Sequence, residues 1–546
     1  MIALSAAVCL SACSEDKGNY DYTDVAEVYV EDGEVLERSV NQYDYLDIVP
    51  NLKFTQGADE SRFSYRWVIY LDAWSRDDSE AEEISTERNL HYLVSQAPDS
   101  QNAYAVVLYC TDKENGTVSQ IDYLVRVNAL ISSGIMALYE TADGCDFDYI
   151  ATPYAVPSLT STNRLERTYE TSNGRKLAGS PKLIALAREN GFAASSKVNR
   201  VYVATDREMV QLAGVDFTQE AGFDELFYST PSTWNPLSIT RFGQFQRITV
   251  MMNGDELRCI NNNGPSPRFT YEFSDPVESP SALGEVRLAP YTYFSDATTP
   301  VSKNVVMYDK AGKRFVRIEA ASQGTFLSAF PAQGAEAAFD VNYIGKDCRW
   351  FGKGYNTYGY ALFTDGASQE LYVGDFGMPE GTYGYDADWN YIFTPNPDVD
   401  KIGKAIYNLS AMPEIADATF FDCGQYGPVF MYATNRNIYA CSLGSIPSAM
   451  QINEDFPVGE EITAMMIYNP STYIMSSLAD VAGTLLYVAT WNGTEGKVYE
   501  FAITRNTCEM NNTTAGGSNR KAPLNVFGGM GKVVSMCMKL EGTGVQ

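Results

Sequence analysis

Two stretches of the chain set aromatic rings among glycines and carboxylates. The first runs from Cys348 to Phe363 and holds Trp350, Tyr355, Tyr358 and Tyr360. The second runs from Gly381 to Phe393 and holds Tyr383, Tyr385, Trp389 and Tyr391, with Asp386 and Asp388 between the rings. An aromatic face stacks on the apolar face of a sugar or on a peptide side chain, and a neighbouring carboxylate accepts hydrogen bonds from hydroxyl or ammonium groups. By that chemistry Trp350, Tyr355, Tyr358, Tyr383, Tyr385, Asp386, Asp388 and Trp389 are candidate ligand-binding residues. Trp234, in the loop Ser229 to Pro236, joins them, and Trp491, directly before Asn492-Gly493, is expected at a hairpin tip. The competing reading of the same rings is core packing, because β-rich cores use aromatics heavily.

Catalytic chemistry finds less support. Histidine often serves as general base, and His91 is the one histidine of 546 residues. It precedes an apolar stretch and reads as structural. G-x-S-x-G, the P-loop and the dinucleotide fingerprint are all missing. No catalytic residue is therefore assigned, and the chain is expected to be a non-enzymatic binder. Carboxylates alone can hydrolyse glycosides, so a carboxylate hydrolase or lyase stays open as the enzymatic alternative. The S-x-D-x-G-x-x-W boxes of sialidases are missing too.

Neither a metal nor a cofactor is expected. No C-x-x-C occurs, and a single histidine rules out imidazole-rich sites. Asp143, Asp146 and Asp148 alternate in a turn and offer oxygen ligands for calcium, as do Asp386, Asp388, Asp398 and Asp400. Exposed turn acids and solvated loops, such as the acid-rich segment 72–83, are the competing reading. Ten cysteines are present. Setting aside Cys9 and Cys13, eight remain, and their pairing is not deducible from sequence. Cys110, Cys259, Cys441 and Cys537 fall inside expected strands, where a small buried hydrophobe is the plain reading. The formal charge of −29, from 69 acidic and 40 basic residues, argues against nucleic acid, since phosphate binding needs clustered Lys and Arg.

The chain opens on a run of apolar and small residues, Ile2 to Ala12, too short to span a bilayer. It fits the apolar region of a secretory signal peptide over residues 1–12. Leu10-Ser11-Ala12-Cys13 resembles a bacterial lipobox, which implies a lipid on Cys13. No Lys or Arg precedes the apolar run, a departure from the pattern, so the true start is expected upstream of Met1 or the sequence is expected to be trimmed. Ser14-Glu15-Asp16 resembles the acidic tag that directs lipoproteins to the cell surface, so 13–23 is expected to be an acidic tether.

Residues 24–130 are expected to form a β-sandwich. Ala26 to Val30 alternates as a half-buried strand does. Tyr65 to Tyr70 is a denser run, with Trp67 placed as a plug between sheets. Tyr104 to Cys110 and Ile121 to Val127 flank the turn-rich Asp112 to Gly116. Several short strands over about 105 residues suit a sandwich of immunoglobulin or PKD type.

Beyond Ser132 one unit recurs: an apolar run, a polar turn, then a second run. It begins at Gly134, Val201, Ile248, Asn304, Tyr360, Pro428 and Leu485. Its mean spacing of about 58 residues exceeds the 40 to 50 of compact propeller blades, leaving room for long loops. Such a hairpin cannot bury both faces alone, and radial four-stranded blades solve the problem. The tail Gly531 to Met538 resembles Gly459 to Met466, which lies ahead of the seventh hairpin. The first hairpin has no such strand before it. The fold class expected is thus all-β, a sandwich followed by a seven-bladed propeller over 131–546, closed by its C-terminal strand. Eight blades remain open, as do two stacked sandwiches.

Cys13 to Tyr22, reading CSEDKGNYDY, resembles the opening of the PKD-like family of Bacteroidetes lipoproteins. Ile84 to Leu90 and Tyr104 to Asp112 extend the likeness over roughly the first 150 residues. The resemblance implies an outer-membrane, lipid-anchored protein at the cell surface. It further implies partnership with a TonB-dependent transporter and its lid lipoprotein, as an accessory nutrient-uptake protein capturing glycan or peptide. A protein–protein scaffold of that transporter complex is the further alternative.

Overall fold

The computed structural model describes residues 25–540, apart from 32–33, 42–43, 71–80, 97–102, 129–130, 132, 158, 160, 191–196, 243–247, 262–271, 295–304, 322–323, 471–477 and 515–518. Strand dominates it throughout, and the chain divides into two compact units, Met1–Leu130 and Ile131–Gln546. Cys9, Cys13, the acidic tether and most of the acid-rich segment 72–83 lie outside the described residues.

In the first unit, Glu37–Asn41, Val118–Asn128, Tyr104–Asp112, Phe63–Tyr70 and Glu82–Ser85 lie in that order in one sheet. Two strand pairs accompany it, Tyr45–Ile48 with Leu90–Leu93 and Val28–Val30 with Leu52–Phe54. Alternation along Phe63–Tyr70 turns Phe63, Trp67 and Ile69 into one core with Val106, Leu108, Tyr123 and Val125. Trp67 is fully buried, its ring 5.7 Å from that of Tyr123, and its indole N–H donates to the Glu87 carbonyl at 2.9 Å. A buried indole needs such an acceptor, because an unpaired polar group away from water costs about 1–3 kcal/mol.

The second unit contains seven sheets of three or four strands among its described residues, plus one two-stranded hairpin. Each recurring sequence unit becomes two adjacent strands of one sheet, and in the four-stranded sheets these are the two middle strands. Ile248–Asn253 and Glu256–Asn261 pair through a two-residue loop, as do Gly359–Asp365 and Ser368–Gly374. Those loops begin with Gly254 and Gly366 at φ of 59° and 62°, a left-handed backbone that glycine adopts without strain. The middle strands read as near-continuous apolar runs because both faces of each sheet are covered.

The leading strands of the sheets touch in one closed circuit. Val533–Lys539 touches Pro181–Asn190, followed by Pro236–Phe242, Leu288–Phe294, Asp347–Lys353, Phe420–Cys423 and Glu461–Ile467, which returns to Val533–Lys539. An apolar cluster fills the space between each sheet and the next. Between the seventh and first sheets it includes Ile135, Tyr139, Tyr487, Ala489 and Val533. Burying side chains of this size contributes roughly 1.5–3 kcal/mol each. This is a β-propeller, and its first sheet combines both ends of the unit. Val533–Lys539 pairs antiparallel with Gly134–Thr141, with Ala137 opposite Met536.

Candidate functional site

The exposed hairpin sits in the fifth blade, between that blade's third and fourth strands, Ser368–Gly374 and Gly403–Asn408. It consists of Gly381–Tyr385 and Tyr391–Pro395, with Tyr383 opposite Phe393 and Tyr385 opposite Tyr391. Side chains alternate along a strand, so these four rings share one face. Tyr383 and Tyr391 are stacked, centroids 5.2 Å apart with planes 3° from parallel. Tyr383 lies 5.0 Å from Phe393, and Tyr385 lies 5.4 Å from Tyr391 and 6.0 Å from Trp389. All five rings are exposed, from 42% at Phe393 to 82% at Trp389. A two-stranded hairpin is only marginally stable alone. Here the ring contacts contribute about 0.5–1.5 kcal/mol each, and the base is fastened. Asn396 donates its backbone N–H to the Glu380 carbonyl at 2.8 Å, and Glu380 pairs with Arg317 at 2.8 Å. Gly381 has no room for a side chain, since a Cβ there would sit 2.4 Å from the Thr394 carbonyl oxygen and 2.5 Å from the Phe393 ring.

Asp386 builds the turn. It accepts from the backbone N–H groups of Asp388 at 2.9 Å and Asn390 at 2.8 Å, and from Asn390 Nδ2 at 3.0 Å. These donors, the Asn390 side chain foremost, hold its carboxyl below the usual range. Its oxygens are therefore committed within the turn, and Asp388 is the carboxylate left beside Trp389. Trp389 takes φ of 63°, a region non-glycine residues seldom occupy, and so carries its ring outward.

The structure separates the other sequence-derived candidates from this face. Trp350 packs between the fifth and sixth blades, 5.7 Å from Phe430 and 6.5 Å from Phe421. Tyr355 and Tyr358 pack on the same cluster, and burial raises the Tyr358 hydroxyl pKa. Trp234 lies edge-on to Phe223 at 4.8 Å and donates its indole N–H to the Thr205 carbonyl at 2.8 Å. The physical reason is position: each lies on or beside a strand whose face meets the next blade. Conversely, Phe393 was absent from the candidates. The signal for it was the aromatic alternation on either side of the Asp386–Asn390 turn.

Most of the carboxylates considered for calcium are engaged by internal donors; among the described residues Asp388 and the buried Asp400 Oδ1 are not. Asp146 accepts from the backbone N–H groups of Phe147, Tyr169 and Glu170 at 2.8, 2.8 and 3.0 Å. Burial outweighs these bonds and pushes its carboxyl up to about 6. Asp148 takes the Arg164 guanidinium, Asp143 lies 3.5 Å from Lys176, and Asp398 lies 3.0 Å from Lys401. Among the described residues no three or more His, Cys, Asp or Glu side chains are grouped to hold a metal ion. His91 stacks on Tyr45 and hydrogen-bonds Asp47 at 2.6 Å, in the first unit. The eight described cysteines are free thiols.

Three solved structures resemble the chain distantly. A quinonprotein alcohol dehydrogenase-like protein from Bacteroides thetaiotaomicron is 12% identical, with 94% of this chain and 99% of that one covered and a TM-score of 0.40. A protein from Lactobacillus plantarum is 11% identical, over 75% of this chain and all of that one, with a TM-score of 0.40. The Nup133 β-propeller domain of Vanderwaltozyma polyspora is 10% identical, over 56% and 79%, with a TM-score of 0.28. No curated protein sequence matches the chain. A model of the PKD-like family matches residues 13–181, and over that N-terminal part the chain is similar to the PKD-like family.

Proposed function

We propose that the protein is a non-catalytic, surface-displayed binding protein that captures glycan on the aromatic face of the fifth-blade hairpin. The observation that carries this reading is the run of five exposed rings, Tyr383, Tyr385, Trp389, Tyr391 and Phe393, on one hairpin. Rings left in water are costly unless a partner covers them, and a contiguous exposed apolar patch marks an interaction site. Flat stacked rings suit the apolar faces of consecutive sugar units, while Asp388 is placed to accept hydroxyl hydrogen bonds. The reading places the protein on the outer membrane through a lipid on Cys13, as an accessory of a TonB-dependent nutrient-uptake system and its lid lipoprotein. The lipobox-like and CSEDKGNYDY segments support that placement.

The test is electrophoresis of the protein through gels containing candidate polysaccharides. Retardation by a polysaccharide, lost in Trp389→Gly with Tyr391→Ala and unaccompanied by new reducing ends, supports the proposal. Release of reducing ends would instead identify a carboxylate hydrolase or lyase. Retardation by peptide polymers alone would move the ligand class to peptide. Co-purification with a transporter in the absence of any polymer binding would favour a scaffold.

A further inference from the structure

Where the ring closes, between the seventh and first blades, a cavity of about 470 Å3 opens. That volume lies within the roughly 300–1,000 Å3 of small-ligand sites. Its wall is rigid. Buried Asp148 accepts from the Tyr139 hydroxyl at 2.8 Å, from the Arg167 backbone N–H at 2.9 Å, and from Arg164 Nε and a terminal nitrogen at 2.9 and 2.6 Å. Arg164 also donates to the Gly528 carbonyl at 2.7 Å. Asp148 and Arg164 thus complete each other and leave little for a ligand.

Three other lining groups are not so committed. Lys532 lies at the end of a tight crossing: its carbonyl accepts from the Glu140 N–H at 3.0 Å, and a Cβ at Gly531 would sit 1.7 Å from the Glu140 carbonyl oxygen. Among the described residues its ammonium has no hydrogen-bonding or ion-pair partner. The Arg167 guanidinium is 68% exposed and, among the described residues, pairs only with Glu170, at 3.8 Å. Trp491 closes the strand Leu485–Trp491 and lines the cavity, its indole N–H unpaired among the described residues. A flat ring and two available cations thus line one cavity in a chain of net charge −29. A neutral sugar would leave both cations unanswered. A carboxylate would satisfy them through charge-assisted hydrogen bonds, the stronger class.

We propose that this seam cavity binds a carboxylated sugar unit of the uronic acid type. Its carboxylate meets Lys532 and Arg167, its ring lies on Trp491, and its hydroxyls donate to Glu140 and Glu166 at the rim. The site is separate from the aromatic hairpin and does not rest on it.

The test is calorimetric titration of the full chain in detergent with trigalacturonate, and with neutral maltotriose as the contrast. Trigalacturonate binds, more weakly as salt rises, and maltotriose does not bind at this site. Lys532→Gln weakens trigalacturonate by about tenfold, the order expected for one charge-assisted contact, and Trp491→Ala removes the binding. Both side chains are at the surface, and an unchanged melting temperature shows that the variants are folded. Val458→Ala, at an exposed position outside the cavity lining, leaves trigalacturonate affinity unaltered. The proposal is overturned by no heat at millimolar trigalacturonate, by maltotriose binding that Trp491→Ala removes, by a Lys532→Gln affinity equal to that of the parent, or by Trp491→Ala binding trigalacturonate as the parent does.

Discussion

Thr152 donates its hydroxyl to Glu500 Oε1 at 2.6 Å, across 348 residues of sequence. The Tyr487 hydroxyl donates to the same oxygen at 2.6 Å, and Asn525 Nδ2 donates to Oε2 at 2.6 Å. Thr152, Tyr487 and Glu500 are all fully buried. The first and seventh blades therefore share a polar joint as well as an apolar one.

Glu500→Leu keeps the approximate volume and removes every acceptor. It orphans the hydroxyls of Thr152 and Tyr487, each costing about 1–3 kcal/mol. Chemical denaturation is expected to show a loss of that size, with hydrogen exchange rising first along Gly134–Thr141 and Leu485–Trp491.

Ending the chain at Lys532 removes the strand Val533–Lys539 and leaves the backbone groups of Gly134–Thr141 without that partner. Unpaired edges promote association. The expected product is aggregated or expanded on size-exclusion chromatography, whereas alanine at exposed Val458 leaves a monodisperse protein.

Asp146 gives a pH signature. Burial pushes its folded-state carboxyl up to about 6, against an ordinary value of 3.8. The folded state thus holds a proton that the unfolded state has released across this window. The resulting stability is fully present below about 4 and is lost as pH rises through about 6. The stability of the parent minus that of Asp146→Asn, from urea midpoints, is expected to fall steadily between those pH values. A flat difference would contradict the assignment.

Trp389→Gly separates binding from folding in the hairpin. Glycine accepts the φ of 63° that Trp389 holds. The melting temperature is expected to stay level or rise slightly, while retention by polysaccharide gels drops.

Burial pushes the thiols of Cys110, Cys145, Cys441 and Cys508 up to about 12. Thiolate is the reactive form. A thiol reagent at pH 8 is expected to label these four slowly in the native protein and rapidly in denaturant, as mass spectrometry of digests would read.

The seven central hairpins were legible because each strand is apolar on both faces, a signal local to about fifteen residues. Short outer strands such as Gln219–Ala221 and Ser448–Gln451 carry exposed side chains and no such pattern. Trp350 and Trp389 both sit among glycines and tyrosines. Only the neighbouring blade, which brings Phe421 and Phe430 against Trp350, tells them apart. The seam cavity was invisible for a similar reason. Arg167, Trp491 and Lys532 become neighbours only once the ring exists.

The pairing of Val533–Lys539 with Gly134–Thr141 also imposes an order in time. A ribosome releases the first blade's hairpin long before its final neighbour exists, so that edge must wait, unsatisfied, while the other blades are made. Contacts so distant along the chain form slowly, and the waiting intermediate is the species a cellular holdase would have to protect.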